Sequence, residues 1–316
     1  MLRPLMSTPI FGDCQLNVVK PKEPVVGRIV ESTSCLKGRS GSFVRHVSVD
    51  VSGTPLEGTF RAGQSFGVIP PGLTEKGKPQ PVRLYSISAP TRGEDGQGAV
   101  LSTTCKRLID EYWEEGSDKH HLFVGHCSNY LCDLQVGDEV LVSGPAGKRF
   151  LLPQDPSLHD YVFVATGTGI APFRGMVKEL LEDPNGACAS EIHLVVGVPY
   201  GTDLMYDADF TALAEQHENF HYHTVISRPE VGPRMYVDQY IVETTDPFHR
   251  VLENDRNLLY ICGIEGMQVG IYRLLETLGV ASEYLKLPEE PLSLAQADKA
   301  MIKRIKPTDR CLVEVY

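Results

Sequence analysis

Two short runs of the sequence carry groups suited to phosphates and flat aromatic rings. The first, Tyr161-Val-Phe-Val-Ala-Thr-Gly167-Thr168-Gly169-Ile-Ala-Pro172, reads as a buried strand entering a glycine turn, with Pro172 opening a helix. Glycine lets backbone approach a phosphate closely, and a helix start offers free N–H groups at its positive dipole end. Proline in that first turn gives up only a donor that would have no partner. The strand–loop–helix setting is that of dinucleotide binding. The next strand ends at Val198-Pro199-Tyr200, without the acidic residue that holds an NAD ribose. Ser227-Arg228 and Arg234-Met235-Tyr236 follow. Two guanidiniums, a hydroxyl and a ring suit a 2′-phosphate with its adenine on Tyr236, so NADP is the expected nucleotide.

The second run is Arg83-Leu84-Tyr85-Ser86, on a stretch of strand character. Alternation sends Arg83 and Tyr85 to one face and Leu84 and Ser86 to the other. An arginine beside a ring and a hydroxyl can pair a phosphate, stack on a planar group and hydrogen-bond its edge. Gly125-His126-Cys127-Ser128-Asn129 can form a backbone nest for a pyrophosphate. Thr104-Cys105-Lys106-Arg107 offers a further strand edge with positive charge.

Positioning these groups needs two kinds of scaffold. From Val25 to about Leu152 short β-branched runs alternate with turn residues: Val25–Val30, Phe43–Val51, Ser65–Ile69, Val82–Ile87 and Glu139–Ser143. Six or so such strands predict a small closed antiparallel barrel, with Leu131–Gly137 as a turn into its last strand. Beyond Leu152, strands at Tyr161–Ala165, Ile192–Val198, Phe220–Ile226 and Leu258–Cys262 alternate with helices at Pro172–Glu182, Phe210–Gln216 and Met267–Leu278. That is the pattern of a parallel sheet covered on both faces. The expected division is an extension over 1–20, a barrel over 21–153 and an α/β domain over 154–316.

A net charge of −11 over 316 residues argues against general nucleic-acid binding. No apolar run reaches the ~20 residues of a membrane helix. The amino end lacks the apolar stretch of a signal peptide and an Arg-rich presequence, so the cytoplasm is the expected compartment. Eight cysteines contain no Cys-x-x-Cys pair and are expected as reduced thiols. His217, His221 and His223 stand close together, yet no acidic or Cys partner completes a metal set with them, and no metal site is expected.

Taken in order, these runs resemble the plant-type ferredoxin–NADP reductases. Pro21-Lys-Glu-Pro24, Gly63-Gln-Ser65, Arg83-Leu-Tyr-Ser-Ile87, Lys106-Arg-Leu108 and Cys127-Ser-Asn129 are similar to the flavin domain of that family. Gly167–Arg174, Val198-Pro199, Ser227-Arg228, Arg234-Met-Tyr236, Cys262-Gly263 and Val313-Glu314-Val-Tyr316 are similar to its nucleotide domain. The resemblance implies a FAD-binding barrel followed by an NADP-binding α/β domain. It implies a flavoenzyme that exchanges electrons between ferredoxin, or flavodoxin, and NADP(H), with hydride passing between flavin N5 and nicotinamide C4.

By that resemblance Arg83 would pair a flavin phosphate, and Tyr85 would stack on the isoalloxazine. Ser86, next to Leu84 and Tyr85 on the strand, would lie beside N5. Thr104, Cys105 and Lys106 would line the flavin, while His126, Cys127 and Ser128 would hold its pyrophosphate. Thr168, Val198, Pro199, Ser227, Arg228, Arg234, Tyr236, Gly263 and Ile264 would receive NADP. Cys262 would sit close to the nicotinamide, Glu314 would relay a proton near Ser86, and Tyr316 would cover the flavin face opposite Tyr85. Asp110 stands where the family commonly has the aromatic that holds the FAD adenine, which leaves Tyr112 or Trp113 to take it over. Asp238 stands where the family often has Gln.

An acidic carrier calls for a basic dock. Lys76, Lys78 and Arg92 are candidates, as are Lys299, Lys303, Arg304 and Lys306 around a helical turn at Met301–Ile305. Two other readings stay open: the NADPH-dependent reductase component of an oxygenase, and a diaphorase-like flavoprotein with no protein partner.

Overall fold

The computed structural model describes residues 8–38, 40–288 and 293–316, so the first seven residues of the expected extension lie outside it. The chain divides into two compact units. One comprises Asp13–Lys148 with Arg174–Glu179; the other holds Arg149–Phe173 and Leu180–Tyr316 with the segment up to Gly12.

In the first unit β1 (Val25–Ser34), β2 (Val44–Asp50), β3 (Ser65–Ile69), β4 (Arg83–Ser86), β5 (Val100–Lys106) and, after a break, a strand at Glu139–Ala146 form one sheet. β6 (Ile109–Trp113) and β7 (His120–Val124) make a separate hairpin, and α1 (His126–Asp133) leads to the Glu139–Ala146 strand, β8. The sheet order is β4-β3-β8-β1-β2-β5, with every pair antiparallel. Its two ends meet through an Ile87–Thr103 bridge, where the Thr103 hydroxyl donates to the Ser86 carbonyl at 2.8 Å. The sheet is therefore the closed barrel that its alternating runs predict. Ile29, Val47, Val49, Phe66, Val68 and Val142 are buried inside it. Each such side chain contributes about 1.5–3 kcal/mol by leaving water.

The expected turn at Leu131–Gly137 is corrected by α1, which runs through Asp133. Cys127 and Leu131, four apart, both enter the barrel core with Cys132. That spacing favours a helix over a turn.

The second unit is built on β9 (Asp160–Thr166), β10 (Ile192–Val198), β11 (Phe220–Ile226) and β12 (Asn257–Gly263), with a last strand at Cys311–Val315. The helices are α2 (Ile170–Leu181), α3 (Asp207–Gln216), α4 (Val237–Glu243), α5 (Thr245–Glu253), α6 (Glu265–Thr277), α7 (Ala281–Tyr284) and α8 (Lys299–Arg304). Two-residue strands β13 (Leu285–Lys286) and β14 (Lys306–Pro307) pair with each other, so the last strand is β15. Sheet order is β11-β10-β9-β12-β15, and all pairs are parallel. The order reverses between β9 and β12, which opens a crevice at their carboxyl ends, where open α/β sheets bind ligands. β10 and β12 are buried along their whole length, as strands with helices on both faces must be. No helix among the described residues is long and apolar enough to cross a membrane.

Candidate functional site

At the carboxyl ends of β9 and β12 the backbone is locked by its glycines. Gly167 has φ +53° in the turn Gly167–Gly169, which runs directly into α2 two residues before Pro172. A Cβ on Gly169 would stand 2.1 Å from the Cys262 carbonyl oxygen, so no larger residue fits there. The Ile264 N–H donates to the Thr166 hydroxyl at 3.0 Å, and the Tyr316 N–H to the Gly263 carbonyl at 3.0 Å. The hydroxyls of Tyr316 and Thr168 lie 2.7 Å apart. Cys262 is buried, and burial pushes its thiol up, helped by the nearby Glu314 charge. Register pairs Glu314 with Cys262, and burial raises the Glu314 carboxyl to about 7. Thr168, Cys262, Gly263, Ile264, Glu314 and Tyr316 thus form one constellation.

A second group forms where β10 and β11 end. The Ser227 N–H donates to the Val198 carbonyl at 2.9 Å, and the Arg228 N–H to that of Pro199 at 2.8 Å. Val198 is buried, and its carbonyl is taken by Ser227. The Arg228 guanidinium lies 6.0 Å from the Tyr200 ring centre, with Tyr236 close enough to act on its charge. Tyr236 caps α4 and exposes 55% of its surface, which leaves its ring open to stacking. Arg234 is exposed on the same loop. Asp238 turns its carboxyl onto Gly270 of α6, where an added Cβ would be 2.9 Å away. Tyr200, which the sequence reading did not single out, is placed beside Arg228. An aromatic directly after the Val198-Pro199 strand end was the signal that could have found it.

In the barrel Arg83 is exposed, while Tyr85 and Ser86 are half-buried. Tyr85 lies close enough to the Cys105 and Cys127 thiols for them to act on its hydroxyl, and burial pushes its ionisation up. Leu84 exposes 61% of its surface. At the end of β5, Thr104 and Cys105 are buried and Lys106 is exposed. Cys127 turns inward to the Val68 carbonyl. The Ser128 hydroxyl is engaged by the Leu108 N–H and the Gly125 carbonyl, at 3.2 and 3.1 Å. The first intrahelical bond of α1 runs from the Asn129 N–H to Gly125, and no side chain caps the helix. His126, Cys127 and Ser128 therefore offer their amides, which suits a pyrophosphate. On the hairpin Tyr112 stacks on His121 and Trp113 leans on His120, with both aromatics largely exposed.

Of the basic candidates, Lys299, Lys303 and Arg304 lie on α8, and Lys303 is paired with Glu265. The expectation that the histidines lack an acidic partner is corrected. Parallel pairing sets His193 beside His221, and Glu191 stands against both. Sequence spacing hid this because the partners come from separate strands.

The description "Oxidoreductase NAD-binding domain" belongs to the family model that matches residues 163–272. The chain is 32% identical over 311 residues to the cyanelle ferredoxin–NADP reductase of Cyanophora paradoxa, covering 96% of this chain and 80% of that protein. It is 34% identical to the chloroplastic leaf isozyme 1 of ferredoxin–NADP reductase from Arabidopsis thaliana, over 83% of this chain and 72% of that one. Among solved structures, ferredoxin–NADP+ reductase from Plasmodium falciparum with 2′P-AMP matches with a TM-score of 0.71 at 23% identity, over 96% of this chain and all of that one. The structural match shows a shared fold. With two sequence relatives above 30% identity over most of their length, a closed barrel and a five-stranded parallel sheet, the chain belongs to the ferredoxin–NADP reductase family.

Proposed function

We propose that this chain exchanges electrons between ferredoxin, or flavodoxin, and NADP(H) through bound FAD. The observation that carries the reading is the presence, in one chain, of two differently made cofactor sites. One sets a guanidinium, a ring and uncapped helix amides on a barrel; the other sets a glycine turn and an Arg–Tyr cluster on a parallel sheet. Their chemistry fits the two groups. Gly125 admits no Cβ, which would lie 2.6 Å from the Ser128 hydroxyl, while Gly167 faces open space and has a left-handed φ. When bound, FAD supplies the conversion between single electrons and hydride.

The residues of this chain do the rest. Arg83 pairs phosphate, and the first-turn amides of α1 take the pyrophosphate. Tyr85, half-buried near Cys105 and Cys127, presents its ring for stacking, while Leu84, Thr104, Cys105 and Lys106 shape the surroundings. Ser86, its carbonyl tied to Thr103, orients its hydroxyl at the reacting edge. Gly167–Gly169 receives the NADP pyrophosphate, Arg228 and Arg234 its 2′-phosphate and Tyr236 its adenine. Val198, Pro199, Ser227, Gly263 and Ile264 supply backbone walls. Because the Asp238 carboxyl is turned onto Gly270, it leaves NADP selectivity to the arginines. Cys262 shapes the nicotinamide pocket as a neutral thiol, and Glu314 holds and releases a proton near neutral pH. Tyr316, hung from Gly263 and Thr168, yields its place to the nicotinamide.

The flavin module is taken as 21–153 and the nucleotide module as 154–316, after an extension over 1–20. The compartment proposed is the cytoplasm, and eight free cysteines suit it as they suit any reducing compartment. Sodium-chloride-sensitive, ferredoxin-dependent cytochrome c reduction driven by NADPH tests the function. Reduction that needs no added ferredoxin or flavodoxin would favour the diaphorase-like reading, and reduction only through an oxygenase carrier the other. Arg228→Ala with Arg234→Ala should raise the NADPH KM about ten-fold or more and leave that for NADH unchanged.

A further inference from the structure

The amino-terminal ends of β10 and β11 lie at the far end of the sheet from the glycine turn, about 15–20 Å away at ~3.3 Å per strand residue. There His193 and His221 are register partners, and Glu191 precedes β10 with its N–H held by the Asp160 carboxylate at 3.1 Å. Glu191 Oε1 stands 2.8 Å from His221 Nε2 and 3.3 Å from His193 Nε2. The three donor atoms all lie within 4.8 Å of one another. His193 is only 2% exposed, yet its Nε2 makes no hydrogen bond among the described residues.

The other side of the His193 ring is fully engaged. Its Nδ1 is 3.1 Å from His223 Nε2, and His223 Nδ1 is 3.0 Å from the Tyr240 hydroxyl. With Nδ1–H of His193 donating to His223, and Nδ1–H of His223 donating to Tyr240, the Nε2 lone pair is left bare, with Glu191 and His221 beside it. In the opposite tautomers Nε2 carries a hydrogen with no acceptor in line. Either way a buried polar atom is left unsatisfied, which native structures avoid.

We propose that Glu191, His193 and His221 bind a zinc-type divalent cation, with a fourth position open to water. Two imidazoles and one carboxylate select late first-row ions over Ca²⁺ or Mg²⁺, which want all-oxygen cages. Tetrahedral bonds of about 2.0–2.2 Å set ligand atoms roughly 3.3–3.5 Å apart. Glu191 and His193 already meet that spacing. The Glu191–His221 pair must open slightly, and both side chains are about two-fifths exposed and free to do so. The His193–His223–Tyr240 chain fixes the ligating tautomer, as outer partners of metal-bound histidines do. The ion would clip the edge strand β11 to β10, and it owes nothing to the flavin or nucleotide groups.

The test is Zn²⁺ titration of the chelator-treated full-length protein by calorimetry, with Co²⁺ absorption reporting tetrahedral coordination. One Zn²⁺ per chain is expected, together with a raised Tm. Glu191→Gln with His221→Ala should weaken binding at least about hundred-fold while metal-free electron transfer stays unchanged. Tyr240→Phe, which retains every ligand, should weaken binding about 10–100-fold, and it decides the matter if the double variant misfolds. No binding by the wild-type protein, or binding that all variants retain at equal affinity, would overturn the proposal.

Discussion

Single side chains in this protein are tuned by what surrounds them more than by their type. Glu314 is an ordinary carboxylate in sequence, and burial in β15 brings its pKa from the usual 4.5 to about 7. Because the folded pKa lies above the unfolded one, the native state binds the extra proton between these values. Stability therefore falls as pH rises from about 4.5 to 7. Glu314→Gln should flatten melting temperature against pH in that window and remove a step near pH 7 from the rate of NADPH oxidation. A wild-type profile already flat there would contradict the assignment. Tyr316 depends on its hydroxyl bond to Thr168. Tyr316→Ser should tighten NADP+ binding and slow its release, as measured by difference titration and stopped flow. Unchanged affinity would remove its role as a placeholder.

The elements follow from the sequence where one period dominates. Alternation gave the barrel strands, and β10 and β12, buried throughout, read plainly as parallel-sheet strands. The glycine turn was legible because its strand and helix flank it within one run. α1 was not, since two of its three buried positions are cysteines, and Gly125 before it and Ser128 within it mimic a loop. The β6–β7 hairpin was missed because it exposes apolar residues on both faces, so no alternation marks it. The metal cluster depends on pairing between strands, which no local spacing carries. At this scale one of the tightest fits is Gly169 against the Cys262 carbonyl. Gly169→Ala should destabilise the nucleotide unit by about 3 kcal/mol, as overpacking of a rigid backbone does. Urea unfolding followed by fluorescence would check it, and a loss under ~1 kcal/mol would mean the turn can shift.

Across the whole molecule, the barrel unit holds the flavin and the sheet unit the NADP(H) with which it exchanges electrons. The family resemblance was legible in the ordered motifs alone. What the structure adds is where the Asp238 carboxyl turns, and that Ser128 spends its hydroxyl inside the protein. The most direct measurement is the visible spectrum of the gently purified protein under anaerobic titration. The account predicts a yellow protein releasing one FAD per chain, bleached by stoichiometric NADPH and far less readily by NADH. A protein that stays colourless after incubation with FAD, or one bleached equally by both nucleotides, would contradict it.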